Sequence, residues 1–251
     1  MAGLLGFVQP IHRRPPLAHR RGTIPQVLRY YIRLRSPSAF QTREDWARRN
    51  RREIEHFARK AARRYNEGTL LRLMESPNPQ VREAAVFALG LIGSWNCNSQ
   101  LASMLKNDDA GVRRVVVEAL WRVWFRGRLS HDAALLRAAL EQPGPGKVLE
   151  ALNHLVRLRP DFAEAWNQRA IIHFQNRDFA ASARDCARVI ELNPFHFGAQ
   201  AGLAQCLMRL GRGSAALKAF RKAERLNPHM GGVTSTIKLL EKALGDDNAA
   251  A

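Results

Sequence analysis

The sequence predicts an all-α protein, an α-solenoid of helical hairpins, and two spacings along the chain carry this prediction. Pro160, Pro194 and Pro228 recur at a constant 34-residue interval, and each closes a similar stretch, Leu-Arg-Pro or Leu-Asn-Pro. Further upstream, the segment that starts at Val81 is echoed by the segment that starts at Val112. Fixed periods of this length indicate stacked repeats, in which each unit packs on its neighbours.

The composition fits such an array and argues against several other classes. The chain has 251 residues, of which 46% are hydrophobic, and no apolar run approaches the roughly 20 residues that span a bilayer. Its three cysteines, Cys97, Cys186 and Cys206, form no CxxC pair. We therefore expect no disulfide framework, no metal site and no cofactor, and a reducing compartment such as the cytoplasm.

The positive charge is concentrated near the amino end. Residues 1–66 hold 16 Arg and Lys against 4 Asp and Glu, whereas residues 67–251 hold 24 against 18. Residues 1–42 contain no acidic residue and are rich in Pro and Arg, so we expect a disordered basic arm with one short amphipathic helix at 26–35. An Arg-rich end of this kind also resembles an organellar transit peptide, which would place the protein in an organelle matrix.

A basic helix is predicted to follow this arm at residues 43–65, where it opens a segment that extends to residue 128. Ile54, Phe57, Ala61 and Tyr65 form one apolar stripe. The other faces carry a cluster of cations: Arg48, Arg49, Arg51, Arg52, Arg59, Lys60, Arg63 and Arg64. This cluster is either a solvated face or a contact surface for a polyanion. The second possibility gives an alternative function, a nucleic-acid- or ribosome-associated protein that acts through residues 1–66.

Residues 69–125 contain the shorter repeat. A turn, a Val-Arg pair and an Ala/Leu-rich helix occur twice at a 31-residue interval, with Arg82 and Arg113 in equivalent places. This pattern resembles short HEAT repeats, and the resemblance implies that both arginines are structural, with Asp108 or Asp109 as a partner of Arg113. We expect Trp121, Trp124 and Phe125 to pack where the two kinds of repeat meet.

Residues 129–245 resemble tetratricopeptide repeats. The family pattern of W-x2-L-G-x2-Y, A-x3-F and P is matched in one unit by Trp166, Arg169, Ala170, His173, Ser182, Cys186 and Pro194. In the next unit it is matched by Gln200, Leu203, Ala204, Leu207, Ala216, Phe220 and Pro228. An earlier, degenerate unit precedes Pro160. A capping helix follows Pro228, and residues 246–251 are expected to be a frayed tail.

The resemblance implies a concave groove lined by the first helix of each unit. Carried onto this chain, the lining residues are Asn167, Ile171, Phe174, Gln175, Ala201, Gln205, Met208 and Arg209. Their mixture of amides and apolar groups suits an extended peptide or a partner helix. Chaperone-binding members of the family use a Lys/Asn clamp, which is absent because Asn167 and Ile171 occupy the matching places.

The sequence contains no recognisable catalytic constellation. It lacks GxGxxG, Walker, GxSxG and HExxH motifs, and its eight histidines are scattered. We therefore expect a non-catalytic scaffold for protein–protein interaction. A lyase-like activity, by analogy with the HEAT-repeat phycobilin lyases, is a further alternative that rests on fold resemblance alone.

Overall fold

A computed structural model of the chain describes residues 25–34 and 50–249, and these are helical almost throughout. They form thirteen α-helices and two short 3-10 turns, with no β-strand in the described ranges. The chain divides into two compact units, Met1–Val123 and Trp124–Ala251. The predicted all-α solenoid of helical hairpins is confirmed.

The first unit contains six helices among its described residues. They are α1 (Gln26–Ile32), α2 (Arg51–Arg64), α3 (Glu67–Leu73), α4 (Pro79–Ile92), α5 (Asn98–Ser103) and α6 (Ala110–Arg126). Helix α4 lies at the centre, because α1, α2 and α3 all pack against it. The division between the two units falls near the end of α6.

The second unit is a regular series in which each helix packs on the next one along the chain. Its helices are α7 (Asp132–Leu140), α8 (Pro145–Leu158), α9 (Ala163–Gln175), α10 (Phe179–Leu192), α11 (Phe197–Arg209), α12 (Gly213–Leu226) and α13 (Val233–Ala249). Three of these helices, α8, α10 and α12, end two residues before the regularly spaced prolines, as the period predicts.

Side-chain caps and small residues explain where the helices begin and how closely they approach. Asn78 accepts a hydrogen bond of 2.9 Å from the Gln80 amide at the start of α4, where Pro79 occupies the first turn. A Cβ on Gly90 would lie 2.8 Å from the Cα of Ala119. Only glycine therefore permits this close approach of α4 and α6.

The two repeat arginines make structural hydrogen bonds, as predicted, although Arg113 bonds carbonyls and not the expected carboxylate of Asp108 or Asp109. Arg113 donates to the carbonyls of Asn107 and Asp108, at 2.7 and 2.8 Å. Arg82 donates to the carbonyls of Ser76, at 2.9 Å, and Pro77. Each guanidinium thus bonds the carbonyls of the turn that precedes its own helix, and the Asp109 carboxylate instead accepts from the Val112 amide.

Helix α1 confirms the short amphipathic helix predicted at 26–35 and shows that this part of the arm is docked. Val27 and Leu28 are fully buried and Tyr31 and Leu34 nearly so. The Tyr31, Phe57 and Phe87 rings meet at centroid distances of 5.2–6.4 Å. Four apolar side chains in this short segment are enough to dock it. Residues 1–24 and 35–49 lie outside the described residues.

The division between the compact units falls after Val123, five residues before the predicted end of the HEAT-like segment at residue 128. The last helix, α13, continues to Ala249 and so includes most of the segment expected to be a frayed tail. The predicted capping helix is present, with Val233 and Ile237 buried in a cluster with Ala204, Ala219 and Phe220.

Candidate functional site

The eight predicted groove residues lie on the first helices of two successive hairpins. Four belong to α9 and four to α11, and each position on α9 recurs on α11 at the 34-residue interval. Asn167 and Ala201 are buried, with exposed fractions of 5% and 2%, so they add almost no side-chain surface to a groove. The other six are half-buried or exposed: Ile171, Phe174, Gln175, Gln205, Met208 and Arg209.

The exposed part of this surface is amphipathic. Met208 is 41% exposed and Gln205 is half-buried one turn before it. The Arg209 guanidinium lies over the Phe179 ring at 4.6 Å, and Phe179 also meets Phe174 edge-on at 5.3 Å. The arrangement offers a flexible thioether, aromatic edges and amide donors side by side, which suits a partner that presents alternating apolar and polar groups.

Leu239 continues this surface register and was missed by the sequence prediction. It follows Ile171 and Gln205 at the same 34-residue interval, on α13, and it is 69% exposed. The sequence predicts α13 only as a cap. Adding the repeat length once more to Gln205 identifies Leu239 as the equivalent position.

A polar cluster supports the first helix of this surface. Arg169 forms a two-pronged ion pair with Asp185, at 2.8 and 2.7 Å, and donates to Asn153 at 3.0 Å. The guanidinium also lies 4.7 Å from the centroid of the Trp166 ring. One side chain thus links α8, α9 and α10, which explains why arginine replaces the apolar residue that the repeat pattern favours. His173 is half-buried, and its Nε2 lies 3.9 Å from the Asp185 carboxylate.

A second buried network holds the start of α11. His196 is fully buried, and its Nδ1 accepts a hydrogen bond of 2.9 Å from the Ala199 amide. Because Nδ1 is the acceptor, Nε2 carries the proton and donates to Glu164 at 3.3 Å. The imidazole stacks on Trp124 at 4.1 Å. His196 therefore acts as a helix cap, and it is one of the residues that the spacing argument did not single out.

The cysteines of this unit are buried between the helices. Cys206 donates to the Ser182 hydroxyl at 3.2 Å, and Ser182 donates to the Ala170 carbonyl at 2.8 Å. The hydrogen bond with Cys206, together with burial, raises the pKa of the Cys186 thiol. Cys186 is therefore protonated and behaves as a small apolar side chain.

The predicted cation cluster lies partly within the described residues. Arg48 and Arg49 lie outside them. The other six are on α2, where Arg51, Arg52, Arg59, Arg63 and Arg64 are exposed and Lys60 is half-buried. The apolar side of α2 is turned inward by Phe57 and Ala61, so the cations face outward.

Comparison with protein families identifies both kinds of repeat. The model for HEAT repeats matches residues 67–156, and the model for the tetratricopeptide repeat matches residues 131–196 and 167–230. Residues 131–156, the predicted degenerate unit, are matched by both models. The chain therefore contains HEAT repeats within residues 67–156 and tetratricopeptide repeats within residues 131–230.

Individual proteins resemble parts of the chain. A TPR repeat-containing protein of Rhizobium etli is 34% identical over 84 residues, which are 34% of this chain and 41% of the relative. The match therefore spans less than half of that relative. The first TPR domain of Spaghetti (RPAP3), solved with an HSP90 peptide, is 18% identical, with a TM-score of 0.42 over 45% of this chain and 92% of its own. MamA is 20% identical, with a TM-score of 0.38 over 68% of this chain and 91% of its own.

The described ranges contain neither a helix fit to span a membrane nor a cluster fit to hold a metal ion. None of the helices there combines the length and the apolar character that crossing a bilayer requires. No cluster of three or more His, Cys, Asp or Glu side chains is placed to hold a metal ion in residues 25–34 and 50–249.

Proposed function

We propose that this chain of HEAT and tetratricopeptide repeats is a non-catalytic scaffold that binds an extended peptide or a partner helix along α9 and α11. The observation that carries the proposal is the set of apolar and amide side chains repeated at 34-residue intervals on first helices. Ile171 and Gln205 are half-buried, and Met208 and Leu239 are exposed. Repeated positions with exposed apolar groups match a partner that runs along the array.

The support beneath these positions favours a rigid recognition surface. Arg169 and Asp185 fix α9 against α10, and His196 fixes the start of α11. A surface held by ion pairs and caps loses little conformational entropy when a partner binds, which favours affinity. A peptide or helix can bind along a shallow surface, whereas a small molecule needs a deep pocket.

The proposed partner is a protein, and the proposed compartment is the cytoplasm. All three cysteines are buried free thiols, which fits a reducing environment. In this proposal residues 129–245 bind the partner, and the HEAT-like residues support them.

Selection of peptides on the full chain tests this function. A phage-displayed library of random peptides of about 16 residues is panned against the protein, and enriched peptides are measured by calorimetry. We expect micromolar binders whose Kd rises at least tenfold (about 1.4 kcal/mol) in the variant Gln205→Ala/Met208→Lys. The matched control is Lys218→Ala/Lys222→Ala, two exposed positions on α12, which should leave Kd within about twofold.

Two results would contradict the proposal. One is the absence of any peptide enriched above background. The other is a set of enriched peptides that bind the α11 variant as tightly as the unaltered chain, because their contact surface would then lie elsewhere.

A further inference from the structure

The docking of α1 onto the first unit creates a surface that the sequence alone does not show. Val27, Leu28 and Tyr31 point inward from α1, and Phe57 and Ala61 point inward from α2. The two helices meet directly, because the Lys60 ammonium lies 5.1 Å from the centroid of the Tyr30 ring. Their outward sides therefore form one continuous face, which we call the α1–α2 face.

The α1–α2 face is strongly cationic. Residues 25–34 and 50–66 hold eight Arg and Lys and two Glu. The exposed cations are Arg29, Arg33, Arg51, Arg52, Arg59, Arg63 and Arg64. Arg51 pairs with Glu55 at 3.7 Å, but within the described residues no carboxylate pairs with Arg59, Arg63 or Arg64. Like charges held one helical turn apart repel each other, so a bound polyanion would relieve this repulsion.

Besides its positive charge, the α1–α2 face has a shallow depression between the two helices. Tyr30 and Arg33 line it from α1, and His56 and Lys60 line it from α2. Glu53 lines the same depression and is outnumbered by the two cations. A half-exposed aromatic ring flanked by cations is the combination with which proteins hold both the base and the phosphate of an unpaired nucleotide.

The composition of the face decides between kinds of polyanion. Seven of its eight cations are arginine, whose planar guanidinium binds phosphate oxygens in pairs. An anionic membrane is less favoured, because the apolar stripe of α2 is buried: Phe57 is 2% exposed and Ala61 is fully buried. Ile32, 42% exposed, is a single apolar group and gives no insertion stripe.

We propose that the α1–α2 face binds the phosphate backbone of single-stranded nucleic acid, with Tyr30 as a stacking platform. This site is separate from the proposed peptide surface on α9 and α11 and does not depend on it. Contacts to the backbone make the binding independent of sequence and strongly dependent on salt.

Fluorescence anisotropy with a labelled single-stranded RNA of about 20 nucleotides tests the proposal on the full chain. We expect a Kd of about 1–100 µM near physiological salt. The logarithm of Kd should rise linearly with the logarithm of the salt concentration. The variant Arg59→Gln/Arg63→Gln/Arg64→Gln should raise Kd at least tenfold and reduce the salt slope by about 2. Arg29→Gln/Arg33→Gln should raise Kd at least threefold, because α1 supplies part of the face.

The matched control removes the same charge from another helix. Lys218→Gln/Lys222→Gln/Arg225→Gln alters three exposed cations of α12 and should change Kd less than threefold. Circular dichroism of each variant checks that the helices are intact. Equal loss in the α2 and α12 variants would show attraction by net charge alone and would overturn the proposal, as would a lack of RNA binding at about 50 mM KCl.

Three competing probes identify the anion. A DNA single strand of the same length should compete with the RNA, because both present the same backbone. Poly-glutamate and phosphatidylserine vesicles should compete at least tenfold more weakly. Tighter competition by either of these than by DNA would overturn the assignment to nucleic acid, and an unchanged Kd in the α1 variant would overturn the two-helix site.

Discussion

The first unit buries two polar side chains among its described residues, Asn50 and Asn98, whereas the second unit buries ten, including Asp132, Arg159 and Glu164. In the first unit, aromatic and aliphatic groups fill the interior, and arginines bond turn carbonyls near the surface. In the second, buried charges are paired across helices. The same hairpin architecture is thus held by apolar packing in one region and by polar pairing in the other. Substitutions should therefore have different consequences in the two regions.

The largest effect is expected at the buried ion pair between Asp132 and Arg159. The Asp132 carboxylate is fully buried and also accepts from the Arg128 and Leu129 amides, both at 2.9 Å. Asp132→Ala removes the buried carboxylate partner of Arg159, which keeps only the exposed Asp161 carboxylate, and leaves two amides without their acceptor. We therefore expect the free energy of unfolding to fall by about 3–5 kcal/mol. Urea denaturation followed by circular dichroism measures this loss.

Asp161 provides the control for this prediction. It contacts the same Arg159 guanidinium at 3.2 Å, but its side chain is 55% exposed. Asp161→Ala should cost less than about 1 kcal/mol. Equal losses for the two aspartates would mean that burial does not govern the pair, and the contrast drawn between the two units would fail.

A smaller effect is expected in the apolar packing of the first unit. Gly90→Ala places a methyl group 2.8 Å from the Cα of Ala119 and should cost about 1–3 kcal/mol through overpacking. Gly68→Ala is the matched substitution in α3, where the nearest atom lies at 3.8 Å, and it should be neutral or stabilising by up to about 1 kcal/mol. Thermal unfolding of both variants checks the opposite signs, and destabilisation of equal size in both would contradict the close approach.

The repeat arginines should contribute less than the close packing. Arg113→Ala removes two hydrogen bonds to turn carbonyls and should lower the free energy of unfolding by about 1–2 kcal/mol. The neighbouring Arg114 is half-buried, and Arg114→Ala should cost less than about 0.5 kcal/mol. Chemical denaturation of the two variants compares them directly. If Arg114→Ala lowered the free energy of unfolding as much as Arg113→Ala, the stabilisation would come from the positive charge and not from the hydrogen bonds to the turn carbonyls.

The smallest effect concerns one backbone position shared by two repeats. Arg177 and Gly211 occupy equivalent turns in successive repeats and have φ of 63° and 73°. This left-handed region strains a side chain but not glycine, so Arg177→Gly should stabilise by about 0.5 kcal/mol and Gly211→Ala should destabilise by about 1 kcal/mol. The midpoints of thermal unfolding should shift in opposite directions. A shift in the same direction would show that the turns are not equivalent.

Much of the fold could be predicted because the repeat period is encoded locally. The spacing of Pro160, Pro194 and Pro228 predicted where three helices end. The two Val-Arg pairs predicted two further helices, α4 and α6. The capping helix α13 was predicted after Pro228, although its end was not. Chain ends are harder to predict because fewer tertiary contacts determine where a helix stops.

The details of the site depend on contacts between residues that are distant in the sequence. His196 and Glu164 belong to different hairpins, so neither residue alone indicates the network that they form. Asn167 was assigned to the groove by its position in the repeat, but its amide donates to Glu164 at 3.0 Å in the interior. The docking of α1 was obscured by the surrounding Pro and Arg, since the composition of the whole arm does not show what one short stretch within it can bury.

Hydrogen–deuterium exchange of the full chain, with and without a selected peptide, locates the peptide-binding surface. We expect bound peptide to slow amide exchange most in residues 163–175 and 197–209, the helices α9 and α11, and less in their partners α10 and α12. Protection concentrated in residues 51–64, or in α10 and α12 without their neighbours, would contradict the claim that the first helices form the peptide-binding surface.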